Sequence, residues 1–170
     1  MKGRVLVLTM VAFGAVTSLV AQQGAAPVDA PAGARQILTV KGDGVQIYAC
    51  MQTAQGLNWT LKAPDAQLLD AQGKVVGSHF AGPTWKLLDG GAVQGELIAS
   101  RPSFDAGSVA WLLLRAKAGT AVGSLSTVDF IRRSETRGGS AGSAGCQNEA
   151  DLGKLERIPY TATYTFYSAQ

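Results

Sequence analysis

Short apolar stretches that alternate with polar residues run through most of this chain after about residue 36. The clearest lies at the C-terminus, where Tyr160, Ala162, Tyr164 and Phe166 alternate with three threonines. Because successive side chains of a β-strand point to opposite faces, this period of two predicts half-buried strands. About nine such short strands, with turn residues roughly every ten positions and no long helical period, predict an all-β fold, an antiparallel sandwich or barrel-like domain.

Two segments between apolar pairs have the composition of tight turns. Residues 70–73 (Asp-Ala-Gln-Gly) follow Leu68-Leu69, and residues 89–91 (Asp-Gly-Gly) follow Leu87-Leu88. A carboxylate accepts hydrogen bonds from backbone amides and glycine adopts a positive φ, so both segments predict β-hairpins. The continuous apolar run over residues 111–114 predicts a core strand that is buried on both faces.

The first 21 residues have the order of a secretory signal peptide: Lys2 and Arg4, then an apolar run over residues 5–20, then the small residue Ala21. We expect cleavage after Ala21, with an uncleaved membrane anchor as the alternative. The protein is therefore expected to be secreted, periplasmic or extracellular, and to have no membrane span after cleavage.

The remainder is long enough for one domain. Residues 25–34 are mostly Ala, Pro and Gly, and Val28 is their only sizeable apolar residue. With so little to bury, residues 22–35 are predicted to be a flexible lead-in, followed by a single β domain over residues 36–170. We expect a monomer.

The charge balance argues against nucleic acid as a partner. Cleavage removes Lys2 and Arg4, so the 15 Lys and Arg fall to 13 against 12 Asp and Glu. Arg132, Arg133 and Arg137 are the only local basic cluster, whereas a nucleic-acid surface usually shows a broader basic stripe with aromatics between. We expect these arginines to mark an exposed strand end and residues 137–145, rich in Gly, Ser and Ala, to form a surface loop.

Cys50 and Cys146 are the only cysteines. In an oxidising compartment two cysteines allow a single pairing. A metal or redox site is the alternative, but the chain has no Cys-x-x-Cys motif and no histidine near either cysteine. We therefore predict a structural disulfide.

Candidate chemistry centres on His79, the only histidine, which excludes a metal centre built from several histidines. With Trp85 it lies in a segment rich in glycine and aromatics, and together with Trp59 these residues are candidates to line a ligand-binding surface. The alternatives are a strand histidine whose imidazole bonds a backbone carbonyl beside a turn, and tryptophans that belong to the core. Trp111 is discounted as a ligand contact because it lies in the apolar run.

The sequence contains no motif that indicates a cofactor, a metal or a catalytic residue. Neither Gly-x-Gly-x-x-Gly nor the P-loop pattern occurs, so no nucleotide cofactor is predicted, and we predict no other cofactor, no metal and no catalytic residue.

Several stretches, taken in order, resemble one known family over about residues 36–168. They are residues 44–50 (Gly-Val-Gln-Ile-Tyr-Ala-Cys), Trp59, residues 64–73, residues 77–85 (Gly-Ser-His-Phe-Ala-Gly-Pro-Thr-Trp), Asp89-Gly90, residues 111–114, residues 136–139, Cys146 and residues 159–162. Their combination resembles the secreted bacterial family catalogued as domain of unknown function 3455. The resemblance implies an exported protein with relatives in fungi, and it supplies no catalytic residues.

The leading hypothesis is a non-enzymatic exported module that binds a small molecule, glycan or envelope partner near His79, Trp85 and Trp59. The alternative is a secreted hydrolase in which His79 meets Asp65, Asp70 or Asp89 in a cleft. A third hypothesis is a purely structural envelope protein.

Overall fold

A computed structural model of the protein describes residues 27–169. The predicted signal peptide, residues 1–21, and the first part of the predicted lead-in lie outside the described residues. Within the range that is described, no helix is long and apolar enough to cross a membrane.

Eight antiparallel strands form one closed barrel, in which each strand pairs with the next along the chain and the last pairs with the first. The strands are β1 Arg35–Thr53, β2 Gly56–Leu69, β3 Val75–Phe80, β4 Thr84–Leu87, β5 Ala92–Arg101, β6 Trp111–Ala116, β7 Phe130–Gly138 and β8 Leu155–Ser168. The predicted all-β antiparallel class is confirmed. The strand count differs from the expected nine because strands such as the 19-residue β1 run well beyond the apolar stretches that predicted them.

Both predicted hairpins are present. In the β2–β3 turn, Oδ1 of Asp70 accepts hydrogen bonds from the amides of Gln72 and Lys74, each at 2.9 Å, and Gly73 has a φ of 79°. In the β4–β5 turn, Oδ1 of Asp89 accepts the amide of Gly91 at 2.8 Å. Local turn chemistry therefore places β2 beside β3 and β4 beside β5.

The main core fills the barrel interior. Its largest fully buried side chains include Trp85, Tyr164, Phe166, Leu68 and Ile131. The bulky side chain of Tyr164 on β8 needs space beside β1, and Gly42 leaves that space because it has no side chain. A Cβ added to Gly42 would lie 2.5 Å from Cε2 of Tyr164, so the aromatic ring occupies the space of a missing side chain.

A smaller apolar cluster lies outside the barrel and includes Val28 of the predicted lead-in. Val28 is only 1% exposed and packs with Ala99 and Leu113. Arg132 holds it there, because its Nε donates to the carbonyl of Val28 at 3.1 Å and its guanidinium pairs with Asp29 at 2.9 Å. The one sizeable apolar residue of the predicted lead-in is thus buried against Ala99 and Leu113.

Cys50 and Cys146 form a disulfide, with Cα atoms 5.4 Å apart, as predicted. The bond ties the loop between β7 and β8 to the end of β1. Such a bond indicates a location outside the cytoplasm. In the same loop, the carboxylate of Asp151 accepts the amides of Gln147 and Asn148 and the Nζ of Lys154.

Candidate functional site

His79 and Trp85 lie together in the barrel interior, on adjacent strands and directly opposite each other. Their rings are stacked, with centroids 4.4 Å apart and planes inclined by 9°. His79 is 3% exposed and Trp85 1%. Nδ1 of His79 lies 2.8 Å from the carbonyl oxygen of Thr84, which can only accept, so Nδ1 carries the proton. The imidazole of His79 is therefore bonded to a backbone carbonyl, as in the alternative interpretation in which His79 is a strand residue and not a ligand contact.

Burial is the main reason that the pKa of His79 falls from 6.5 to about 4, because a charged imidazolium would lose its hydration. The positive charge of Arg133 lowers this pKa further, while the hydrogen bond to Thr84 opposes the shift. His79 is therefore neutral at physiological pH.

The three aspartates considered as partners for His79 lie elsewhere. Asp70 and Asp89 cap the two hairpin turns. Asp65 accepts a hydrogen bond from Arg157 at 2.6 Å, in a pair that is largely exposed. None of the three forms a hydrogen bond with His79 among the described residues, so the structure does not assemble the hydrolase arrangement.

Trp59 does not join His79 and Trp85. In the register of β2 it lies opposite Cys50, whereas the neighbour of His79 on β2 is Ala66, seven positions further along. Trp59 is half-buried, and its Nε1 donates to the carbonyl of Ala144 at 2.8 Å. It lines a depression of about 380 Å³ with Asn58 and residues of the disulfide-bonded loop. Two of the three predicted residues are thus brought together, and the third is at a separate place.

A groove that the sequence analysis did not predict lies on the outer face of the barrel, and we call it the aromatic groove. It has a volume of about 510 Å³. Its lining residues are Lys41, Ser103, Phe104, Asp105, Trp111, Glu135, Thr136, Arg137, Thr161, Ala162 and Thr163.

Phe104 and Trp111 line the aromatic groove, and the guanidinium of Arg101 contacts both rings. Phe104, which is 80% exposed, meets Trp111 edge to face, with centroids 5.3 Å apart. The guanidinium of Arg101 lies 4.7 Å from the ring centroid of Phe104 and 4.5 Å from that of Trp111. Such cation–π contacts hold the rings in place. Trp111, which was discounted as a ligand contact because of the apolar run, lies on the outward side of β6 and lines this groove, whereas Leu114 packs in the barrel core.

A strained residue, Glu135, also lines the aromatic groove. It is the one non-glycine residue with a positive φ, 50°, within residues 27–169. It lies in a bulge of β7, where the pairing with β8 shifts between Ser134 and Arg137, and its Oε2 accepts a 2.7 Å hydrogen bond from Thr163. Backbone strain of this kind clusters at binding and catalytic sites. Glutamate gives no sequence signal for a left-handed backbone, so only the bulge reveals it.

The arginine cluster is not simply an exposed strand end. The side chain of Arg132 is 21% exposed and lies 5.2 Å from the ring centroid of Trp111. Arg133, one position later, points to the opposite face of β7 and is half-buried. Only Arg137 is well exposed, with a distant ion pair to Asp105 at 3.9 Å.

Comparison with known proteins identifies the family of this fold. Neither the curated proteins nor the solved structures contain a match to the chain. The sequence profile of the family described as "Protein of unknown function (DUF3455)" matches residues 31–168, from just before β1 to the end of β8. That match spans every strand of the barrel and agrees with the resemblance seen in the sequence. The chain belongs to the DUF3455 family.

Proposed function

We propose that this protein is a binding module that takes a glycan or a similar polar, ring-shaped small molecule in the aromatic groove. The observation that carries the proposal is the position of Phe104, exposed over most of its surface yet fixed against Trp111 and Arg101, in a groove that the strained Glu135 also lines. Leaving a large aromatic side chain in water is unfavourable, and exposed aromatics at grooves mark contact surfaces.

The chemistry of the aromatic groove suits a sugar ring. A pyranose has an apolar face of C–H groups that packs on an aromatic ring, and hydroxyl groups around its edge. Glu135 and Asp105 supply carboxylate acceptors, and Arg137 supplies donors. Sites for small ligands generally combine an apolar surface with a few polar groups that fix orientation.

The setting of this module is part of the proposal. We infer that residues 1–21 are a signal peptide that is removed on export, and that the mature protein works as a monomer in the periplasm or outside the cell. A location outside the cytoplasm agrees with the disulfide between Cys50 and Cys146. Glycans of the cell envelope and its surroundings are available in that setting.

Trp59 remains a candidate contact at a second place. Its depression is lined by Asn58, Ser143 and Gln147, whose polar groups also suit a hydroxyl-bearing ligand. However, the indole N–H of Trp59 is already bonded to Ala144, which favours a role in holding the loop. His79 and Trp85 are buried and stacked on each other, and neither of them lines the aromatic groove.

The experiment is a titration of the mature protein with a panel of mono- and oligosaccharides, read out by tryptophan fluorescence and calorimetry. We expect a saccharide that quenches fluorescence and binds wild type, and a loss of affinity of about tenfold or more in Phe104→Ala. Trp59→Phe is the matched control in the other depression and is expected to bind normally. Normal binding by Phe104→Ala with loss in Trp59→Phe would move the site to Trp59. A flat response across the panel would favour the structural envelope hypothesis.

A further inference from the structure

Arg133 places a positive charge on the inner face of the barrel. In the register of the sheet it lies between Leu112 of β6 and Tyr164 of β8, and both of these side chains belong to the interior core. Its Nε donates to the carbonyl of Ala110 at 2.9 Å. Among residues 27–169 it forms no ion pair with a carboxylate. Arg133 is half-buried, so part of the residue is in contact with solvent.

Gln46 is buried beside the same stretch of backbone. It is 1% exposed, and neither its Oε1 nor its Nε2 has a hydrogen-bond partner in the described part of the chain. A Cβ built on Gly139 would lie 3.2 Å from Cγ of Gln46 and 3.1 Å from Cγ1 of Val109, the residue before Ala110. Buried polar groups of native proteins are nearly always paired, so an amide with both ends unmet points to a group that the protein itself does not supply.

Tyrosine hydroxyls complete the surroundings. The hydroxyl oxygens of Tyr160 and Tyr164 lie 3.1 Å apart, and the hydroxyl of Tyr48 donates to the carbonyl of Gly139 at 2.8 Å. Burial raises the pKa of all three tyrosines, so they stay protonated. In the Tyr160–Tyr164 pair, the hydroxyl that accepts the bond between them keeps its own proton to donate. The charge of Arg133 acts on the pKa of each of them in the opposite direction, and in the sheet Arg133 lies directly beside Tyr164.

We propose that this inner polar cluster, formed by Arg133, Gln46, Tyr48, Tyr160 and Tyr164, binds a small carboxylate that also carries a hydroxyl group, such as a hydroxy acid or a sugar acid. The planar guanidinium matches a carboxylate and forms strong, charge-assisted hydrogen bonds with it. The Gln46 carboxamide, which needs both a donor and an acceptor, is complementary to a hydroxyl, which is both.

This site is distinct from the aromatic groove, because β7 presents Arg133 on its inner face. A negative result at one of the two sites therefore leaves the proposal for the other site unchanged. A sugar acid that binds at the inner polar cluster is expected to bind equally well to Phe104→Ala, whereas a ligand of the aromatic groove is not.

The test is calorimetry on the mature, disulfide-bonded protein with D-galacturonate, lactate, D-galactose and sulfate as probes. We expect one of the two hydroxy acids to bind, with neutral galactose and sulfate at least about tenfold weaker. Arg133→Gln is expected to abolish binding, and Arg132→Gln, the neighbour that points outward, is the control that retains it. Normal binding by Arg133→Gln, or sulfate as good as both hydroxy acids, would overturn the proposal, as would no binding of either acid.

A second variant tests the site even if Arg133→Gln fails to fold. Gln46→Met keeps the length of the side chain and removes the unmet amide. We expect a higher midpoint of thermal unfolding without ligand, since an unpaired buried amide is unfavourable, together with hydroxy-acid binding weakened by about tenfold or more. Unchanged affinity in Gln46→Met would contradict the proposal.

Discussion

The imidazole of His79 lies flat against the indole of Trp85 inside the barrel, with a centroid distance of 4.4 Å and no polar contact between the two rings. The ring of Tyr164 lies tilted against the imidazole, with its centroid 4.9 Å from that of His79 and the two planes inclined by 60°. A histidine in this position is a packed core residue that titrates far below its usual range. Its protonation therefore links the stability of the fold to pH.

Protonation of His79 is expected to destabilise the protein as the pH falls from about 6.5 to about 4. The pKa is 6.5 in the unfolded chain and about 4 in the fold. Above pH 6.5 both states are neutral and the histidine has no effect; between the two pKa values only the unfolded state takes up the proton. The shift corresponds to a loss of about 3 kcal/mol in the free energy of unfolding.

Urea unfolding at about pH 7 and about pH 4 measures this loss. His79→Phe, which keeps a ring against Trp85, is the control without a titratable group. We expect the wild type to lose about 3 kcal/mol more than this variant between the two pH values. Equal losses of stability in the wild type and in His79→Phe would mean that folding does not shift the pKa of His79.

Removal of the disulfide is expected to weaken the fold. The bond joins residues 96 positions apart, and closing so long a loop stabilises a protein by up to about 4.7 kcal/mol through the unfolded state. The double variant Cys50→Ala/Cys146→Ala should unfold at lower urea. It should also alter the fluorescence of Trp59, because the loop that accepts its N–H is released. In oxidised, denatured wild type, the detection of free thiols would contradict the bond.

The strain at Glu135 predicts that two substitutions there change the free energy of unfolding in opposite directions. A left-handed backbone raises the free energy of a non-glycine residue in the folded state by about 1–2 kcal/mol, and glycine avoids this strain. Glycine also loses more conformational entropy on folding, which offsets about 0.5–1 kcal/mol of that advantage. Glu135→Gly should therefore raise the free energy of unfolding by about 0.5–1 kcal/mol. Glu135→Val should lower it, since β-branched residues disfavour a positive φ. Urea unfolding of both variants decides; a loss in the glycine variant would argue against backbone strain.

Truncation of Val28 is expected to destabilise the outer apolar cluster. Val28→Ala removes two buried methyl groups from contact with Ala99 and Leu113, which corresponds to about 1–3 kcal/mol. Val122, which is 47% exposed, offers a matched control, and Val122→Ala should change stability little. If both variants unfold at the same urea concentration as wild type, the segment before β1 does not contribute to the fold.

The parts of this fold that depend on neighbouring residues were predictable from the sequence. Asp70 with Gly73, and Asp89 with Gly90, form their turns through bonds within a few residues, so composition alone indicates both hairpins. The alternation in β8 likewise shows which face is buried. With only two cysteines, the pairing of Cys50 with Cys146 required no spatial information beyond an oxidising setting.

What only the tertiary structure decided depends on residues far apart in the chain. The pairing of β1 with β8 closes the barrel, and that closure sets which strand faces look inward. Closure places His79 and Trp85 inside, away from Trp59, and turns Arg133 inward beside Tyr164. It also turns Trp111 outward to meet Phe104. Local pattern identifies a strand and its two faces, but the partners on each face depend on long-range pairing, for which a single sequence carries no local signal.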